Sequence, residues 1–332
     1  MKYCNNFEEL NLLVLEKLKS KNLIVKNIEE SENKFLIEKQ NLNIVLKTIF
    51  RKCSKNSYCF TIYRDEFELV KVDIYDKDME TQNRVYIYLC EPSLINEIDK
   101  KNYLKIVEKY KKLKIFPVIG PDGVGKTTLL TNSIDINEKE FLYKRFKKIV
   151  RRSFLYNLTY PITKTILKRK LKEKPLKEKP LKDQHDDIYY SLAILSGLFY
   201  YPYLVYNTYL RKKVVFIDRF FNDYLLENIS FLDKKTKIRT NWKKISNYIP
   251  KVYWKIHLDA KAKTILLRKD ELTKRDIKKY RNLNFKIYLE KPSIIYTYIN
   301  TQQALENCKN VLLSTAINAK VLKEESNCHK YN

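Results

Sequence analysis

Residues 114–130, "KIFPVIGPDGVGKTTLL", carry three of the four glycines in a chain of 332 residues. Gly120, Gly123 and Gly125 crowd together in a sequence that otherwise almost avoids the residue. Glycine adopts positive φ without steric penalty and lets backbone approach a ligand with no Cβ in the way. The flanks set the local fold: "KIFPVI" is a short apolar run that predicts a strand, and "KTTLLTNS" predicts the first turns of a helix. Strand, glycine-rich loop and helix in that order turn the loop's N–H groups inward at the positive end of the helix dipole, which makes an anion site.

The loop reads G-x-x-x-x-G-K-T, the P-loop pattern. Its expected ligand is a nucleoside triphosphate, with ATP and Mg²⁺ as the bound species. Gly120, Pro121, Asp122, Gly123, Val124 and Gly125 would wrap the phosphates together with Thr128. Lys126 would reach the β- and γ-phosphates, and the Thr127 hydroxyl would ligate Mg²⁺.

Composition bounds the rest. The length suggests about two domains, each able to bury a sizeable core. Hydrophobic residues make up 44 % and aromatics 13 %, which excludes a disordered chain. Six cysteines are scattered without a C-x-x-C pair, and no signal peptide is evident; this suits reduced thiols and a cytoplasmic chain. Three histidines lie far apart and suggest no metal cluster. The formal net charge of +27 has two readings. One is attraction to an anionic partner; the other is compositional drift, since Lys, Asn, Ile and Tyr are abundant throughout while Gly is scarce. No arginine-rich arm or nucleic-acid module appears, so no nucleic-acid partner is expected, and we ascribe most of the charge to drift.

Residues 1–112 are expected to form a smaller α+β domain. "FEELNLLVLEKLKS" places Phe7, Leu10, Val14 and Leu18 on one helical face. Strand-like runs follow at "NLIVKNI", "NIVLKTIF", "YCFTIYR", "FELVKVDIYD" and "RVYIYL", and then a charged helix over 93–112. From 113 to 332 strands alternate with helices, which predicts an α/β fold with a parallel sheet and helices on both faces. The expected strands are 114–119, 140–144, 213–217, 252–258 and 310–314. Between 161 and 182 lies a tandem LKEKP repeat with nine basic and two acidic residues, locally +7. It reads as a solvated insertion, with an arm that seeks an anionic membrane or glycan as the alternative. Residues 188–210 carry no formal charge and are long enough to span a bilayer. Seven of them are tyrosine and Pro202 interrupts the run. A single span there would also put two strands of one sheet on opposite sides of a membrane. We expect a helix buried against the sheet, and leave open a peripheral membrane contact.

The second informative stretch is "KVVFIDRFFNDYLLEN", residues 213–228. An apolar strand ending in Asp218 has the Walker-B arrangement, in which a carboxylate at the strand's tip holds the Mg²⁺ shell. Arg219 follows, its planar fork suited to grip a phosphate or carboxylate of the acceptor.

"GPDGVGKTT" followed by "IDRF" resembles the thymidylate kinase-like branch of P-loop nucleoside monophosphate kinases. That branch has an acidic residue inside the loop, here Asp122, and a D-R-[YFH] motif, here Asp218, Arg219 and Phe220. "IHLDAKAKTILLRKDELTKRD" resembles the branch's strand, helix and basic lid, with Arg268 and Arg275 at the lid's arginine positions. "KNVLLSTAINAKVLKEE" resembles its final strand and helix. The resemblance spans 114–325. It implies ATP-dependent phosphoryl transfer in which Lys126, Asp218, Arg219, Asp122 and Arg275 act on the reacting groups and Arg268 closes over ATP.

Three departures narrow it. No arginine occurs between Arg169 and Arg211, where thymidylate kinases carry an arginine that contacts the base. The T-R-E-P-G segment is replaced by "FLYKRFKKIVRRSF", whose Lys144, Arg145, Arg151 and Arg152 form a candidate cradle for an anionic substrate. Dedicated thymidylate kinases also lack the N-terminal domain. The sequence is more similar to longer thymidylate kinase-like proteins from bacterial surface-polysaccharide genes, through "SYCFTIYRDEFELVKVDIYD" and "DRFFNDYLLE", which adds Asp223. Their N-terminal domain is likened to a degenerate nucleotidyltransferase. Here it lacks glycine and keeps Asp73 with Asp76, and so is expected to be non-catalytic. That resemblance implies a kinase for a sugar or sugar-phosphate acceptor. A nucleoside monophosphate kinase and an ATP-gated interaction protein are the alternatives, and a dimer is left open.

Overall fold

A computed structural model describes residues 24–29, 34–56, 58–66, 69–75, 82–89, 113–134, 141–154, 156–158, 161, 165, 195–221, 252–269, 272–290 and 292–318. They fall into two compact units that do not follow the chain linearly. One comprises 1–112, 253–265 and 291–332; the other comprises 113–252 and 266–290.

The first unit is built on strands β1 (Ile24–Glu29), β2 (Lys34–Ile37), β3 (Cys59–Glu66), β4 (Leu69–Tyr75), β5 (Gln82–Tyr88), β9 (Trp254–Asp259) and β10 (Ile295–Asn300), in the order β1-β2-β5-β4-β3-β10-β9. Pairing is antiparallel through β5-β4-β3-β10, where Tyr298 stands opposite Phe60. It turns parallel between β10 and β9, where Asn300 stands beside Asp259. Helix α1 (Leu42–Asn56) takes up the stretch expected as the strand "NIVLKTIF". Leu42, Val45, Leu46, Ile49, Phe50 and Cys53 are all buried. Their spacing of three and four residues is the helical period and leaves no two-residue alternation for a strand to use. Phe50 packs edge-on to Phe60 and Tyr298, at centroid distances of 6.3 and 5.4 Å.

A second correction concerns the chain's last strand. Residues 310–314 lie inside helix α7 (Leu305–Asn318), which buries Cys308, Val311, Leu312, Thr315 and Ala316 on one face. The final strand among the described residues is β10, "IYTYIN", every residue of which is buried. Its tyrosines and isoleucines are strand formers that shed water on both faces of the sheet.

The second unit holds β6 (Ile115–Ile119), β7 (Phe141–Arg145) and β8 (Val214–Asp218), in the order β6-β8-β7 and all parallel. This is the parallel α/β arrangement expected from the alternating pattern. The P-loop follows β6, and α2 (Lys126–Ile134) follows the loop; α3 (Phe146–Arg152) follows β7 directly. Residues 195–209 form helix α4, continuous through Pro202. The fourth glycine of the sequence, Gly197, sits where a Cβ would lie 2.6 Å from Phe146 and 2.7 Å from Phe221. Close approach of this helix to α3 therefore depends on the missing side chain. Leu204, Phe220, Phe221, Val215 and Ile217 complete the core there. Burial of α4 is one-sided: Phe199 is 67 % exposed, and Tyr203, Tyr206 and Tyr209 also face outward. No helix among the described residues is long and apolar enough to cross a membrane. Helix α5 (Ala262–Arg268) and helix α6 (Lys274–Glu290) complete the described elements. The helices expected over 7–18 and 93–112, the basic repeat over 166–187, Asp76 and Asp223 lie outside the described residues.

Candidate active site

The site is built within the second unit by three strand ends and the loop. Gly120, Gly123 and Gly125 have φ of 149°, 82° and 95°, so each uses the backbone freedom that the sequence reserved for this loop. Pro121 and Val124 are buried beneath it, while Asp122 and Thr127 are half-buried and Thr128 is exposed. Lys126 is 6 % exposed, and its Nζ donates to the carbonyls of Gly120 (2.8 Å) and Pro121 (3.0 Å). The lysine thus lies across the loop's entrance with its charge held by backbone oxygens.

Strand register places the partners. In β6 and β8, Val118 stands beside Asp218; in β7 and β8, Arg145 does. Tyr143, two residues before Arg145, points to the same face of β7. The Tyr143 hydroxyl donates to Asp218 Oδ2 at 3.0 Å and lies 3.4 Å from the Thr127 hydroxyl. Arg145 donates through Nε to Tyr143 (3.2 Å) and through Nη2 to Thr127 Oγ1 (3.1 Å), and its Nε lies 3.8 Å from Asp218 Oδ2. Burial pushes the Tyr143 phenol up, and the Asp218 carboxylate adds to the rise while Thr127 and Arg145 oppose it. The phenol is therefore a neutral donor at physiological pH.

Asp122 binds the other cations. Lys269 hydrogen-bonds its Oδ2, and Arg219 Nη2 lies 3.7 Å from Oδ1. Burial raises this carboxyl, but the Lys269 hydrogen bond and the charges of Arg219 and Lys126 outweigh it and hold the group below the ordinary range. Arg219 is 8 % exposed and has φ of 65°, a left-handed conformation that costs a non-glycine residue about 1–2 kcal/mol. Its N–H donates to the Val118 carbonyl at 2.9 Å, which holds the strained turn against β6. Arg268 Nη1 passes 3.7 Å from the position a Cβ on Gly125 would take, so it lies over the loop. Arg275 is exposed in the first turn of α6.

The residues fit a divalent cation. Asp218 Oδ1 is buried and has no hydrogen-bond partner among the described residues, although Oδ2 is fully engaged. A buried carboxylate oxygen left in this state is expensive unless it serves a ligand. With the Thr127 hydroxyl on the facing element, Asp218 offers the hard oxygen donors that Mg²⁺ prefers.

Beside this cluster opens a cavity of about 350 Å³. Tyr143 and Arg145 form its inner wall; Lys144, Lys148, Ile149, Arg152 and Tyr200 complete the described lining. Of the four residues grouped from the sequence, Lys144, Arg145 and Arg152 thus border one concavity, while Arg151 is exposed and outside its described lining. Tyr143 and Lys269 had not been singled out. A tyrosine two residues before a strand's end carries no motif, and Lys269 stands beside the arginine that drew attention.

No protein-family model and no curated protein matches the sequence. Among solved structures the chain is similar to a thymidylate kinase from Ehrlichia chaffeensis, at 13 % identity and a TM-score of 0.37, covering 61 % of this chain and 97 % of that one. It is also similar to the thymidylate kinase of Candida albicans, at 11 % identity and a TM-score of 0.40, covering 62 % and 92 %.

Proposed function

We propose that this chain is an ATP- and Mg²⁺-dependent phosphotransferase for a small acceptor, a sugar or sugar phosphate of surface-polysaccharide synthesis. The observation that carries the kinase reading is the meeting of P-loop and Asp218: the Tyr143 hydroxyl joins Asp218 Oδ2 to the Thr127 hydroxyl, and Asp218 Oδ1 is buried without a hydrogen-bond partner among the described residues. The acceptor class is supported by the resemblance of residues 57–76 and 218–227 to the longer thymidylate kinase-like proteins, and by the lack of a base-contacting arginine before β8. Residues 1–112 serve as scaffold or substrate recognition, a reading supported by Asp73, which is fully buried with the Lys71 ammonium 4.0 Å away.

Thr127 and Asp218 would hold Mg²⁺, which supplies charge neutralisation for the β- and γ-phosphates. Transfer forms a bond from an acceptor oxygen to the γ-phosphorus and breaks the bond to the bridging oxygen. Lys126 turns from the loop carbonyls to the charge that develops on that bridge. Arg219, held by the strained turn, grips the acceptor. Asp122 orients an acceptor hydroxyl and keeps Arg219 and Lys269 in place. Arg268 and Arg275 close over ATP and exclude water. The test is ADP release from ATP and Mg²⁺, screened in parallel against sugars, sugar phosphates and nucleoside monophosphates. Turnover with a sugar or sugar phosphate is expected, and Lys126→Ala should lower it about 10²–10³-fold. Strong turnover on dTMP alone would refute the acceptor assignment, and ATP binding without acceptor-dependent ADP release would refute the kinase.

A further inference from the structure

The described lining of the cavity beside the P-loop carries four positive charges, more than one anionic group needs. Lys144, Arg145, Lys148 and Arg152 line it, and no described carboxylate does. Asp218, beside the cavity, accepts from Tyr143 and lies 3.8 Å from Arg145. Lys144, Lys148 and Arg152 make no ion pair with any described carboxylate. Four like charges around one hollow repel one another, and an anionic ligand relieves that repulsion.

Their placement separates them into two positions. Arg145 stands at the tip of β7, against Thr127 and Asp218, at the reacting end. Lys148 and Arg152 stand one turn apart on α3, three and seven residues beyond Arg145, which puts Arg152 about 10 Å along the helix from it. Tyr200 closes the wall between α3 and α4; burial, followed by the neighbouring Tyr203, pushes its phenol up to about 12, so it remains a donor. Lysine and arginine donate hydrogen bonds and accept none. A neutral sugar needs acceptors for its hydroxyl protons, and among the described lining side chains the two tyrosines alone provide any.

Resting on the kinase reading above, we propose that this cavity takes an acceptor bearing two separate anionic groups, one at Arg145 and one at Lys148 and Arg152, and that the latter pair sets this specificity. The experiment is calorimetric titration of the full chain with Mg²⁺ and a non-hydrolysable ATP analogue, using fructose 1,6-bisphosphate, fructose 6-phosphate and fructose as probes. The bisphosphate should bind at least about tenfold more tightly than the monophosphate, a difference of 1.4 kcal/mol, with no binding of the neutral sugar. In the Lys148→Ala/Arg152→Ala variant the bisphosphate should fall to the level of the monophosphate, while the analogue binds as before. Lys47→Ala/Lys55→Ala removes equal charge from exposed positions of α1 and should leave the ratio intact. Equal affinity for the two phosphates, no binding of the bisphosphate, or equal loss in both double variants overturns the inference while the analogue still binds. Failure of the analogue itself overturns the kinase reading, and the acceptor inference with it.

Discussion

Tyr143 shows how much one hydroxyl can coordinate. It donates to Asp218, receives from Arg145 and lies against Thr127, so it ties together the two groups assigned to the metal. Tyr143→Phe removes one half-buried hydrogen bond to the carboxylate, worth about 0.5–1.5 kcal/mol. The Mg²⁺ concentration for half-maximal turnover should rise about two- to tenfold while ATP affinity at saturating metal is kept; an unchanged Mg²⁺ titration would disprove the role. Asp122 gives a pH signature. Its carboxyl lies below the ordinary range because Lys269 and Arg219 favour the anion, so its contribution to stability is complete above the unfolded value of about 3.9. The contribution is lost as pH falls through the lower folded value. Asp122→Asn should melt below the natural chain at pH 5–7, and the two melting curves should converge as the pH drops below about 4. Because the side chain is 40 % exposed the gap will be small. A gap that persists undiminished at pH 3 would contradict this account.

Helix α4 decides the shape of the cavity from behind. Gly197 lets it approach Phe146, the first residue of α3, and Phe221, whose ring lies 4.9 Å from that of Phe146. Both phenylalanines are almost fully buried and cannot swing away. Gly197→Ala should therefore destabilise the chain by about 1–3 kcal/mol through overpacking, seen as a lower Tm. It should also weaken acceptor binding, since Tyr200 and the basic face of α3 move with these helices. An unaltered Tm would mean that the helices part at no cost. At this scale the sequence was legible where one signal dominated: an apolar run ending in Asp218 had to be a strand tip. It misled over 43–50, where an eight-residue window of apolar residues read as a strand; the helical period shows once Leu42 and Cys53 are counted with it.

At the scale of the molecule, chain order and structural grouping part company. By its place in the chain strand β10 belongs to the stretch after Lys112; in space its Tyr296 and Tyr298 stand opposite Ile62 and Phe60 of β3. The buried threonines Thr61 of β3, Thr297 of β10 and Thr315 of α7 join these elements from within, with oxygen separations of 3.2 Å from Thr61 to Thr297 and 3.1 Å from Thr61 to Thr315. A chain beginning at residue 113 would leave β10 as an exposed apolar edge, a site for aggregation. It should be insoluble or polymeric, and co-expression with residues 1–112 should restore solubility. A monomeric, cooperatively melting 113–332 would show that β10 does without β3.

The sequence by itself determined the P-loop between its strand and helix and the aspartate at the tip of β8, because glycine spacing, a lysine, a threonine and an aspartate at a strand's end are local demands of chemistry on the backbone. Arg219 was legible for the same reason, as the residue after that aspartate. Only the tertiary structure decided that Tyr143 and Arg145 meet Thr127 and Asp218, that Lys269 binds Asp122, and that the basic residues of α3 share one cavity. Those contacts depend on the register of parallel strands and on the approach of helices. Such long-range choices are made by packing of buried surface and leave no fixed spacing in the sequence.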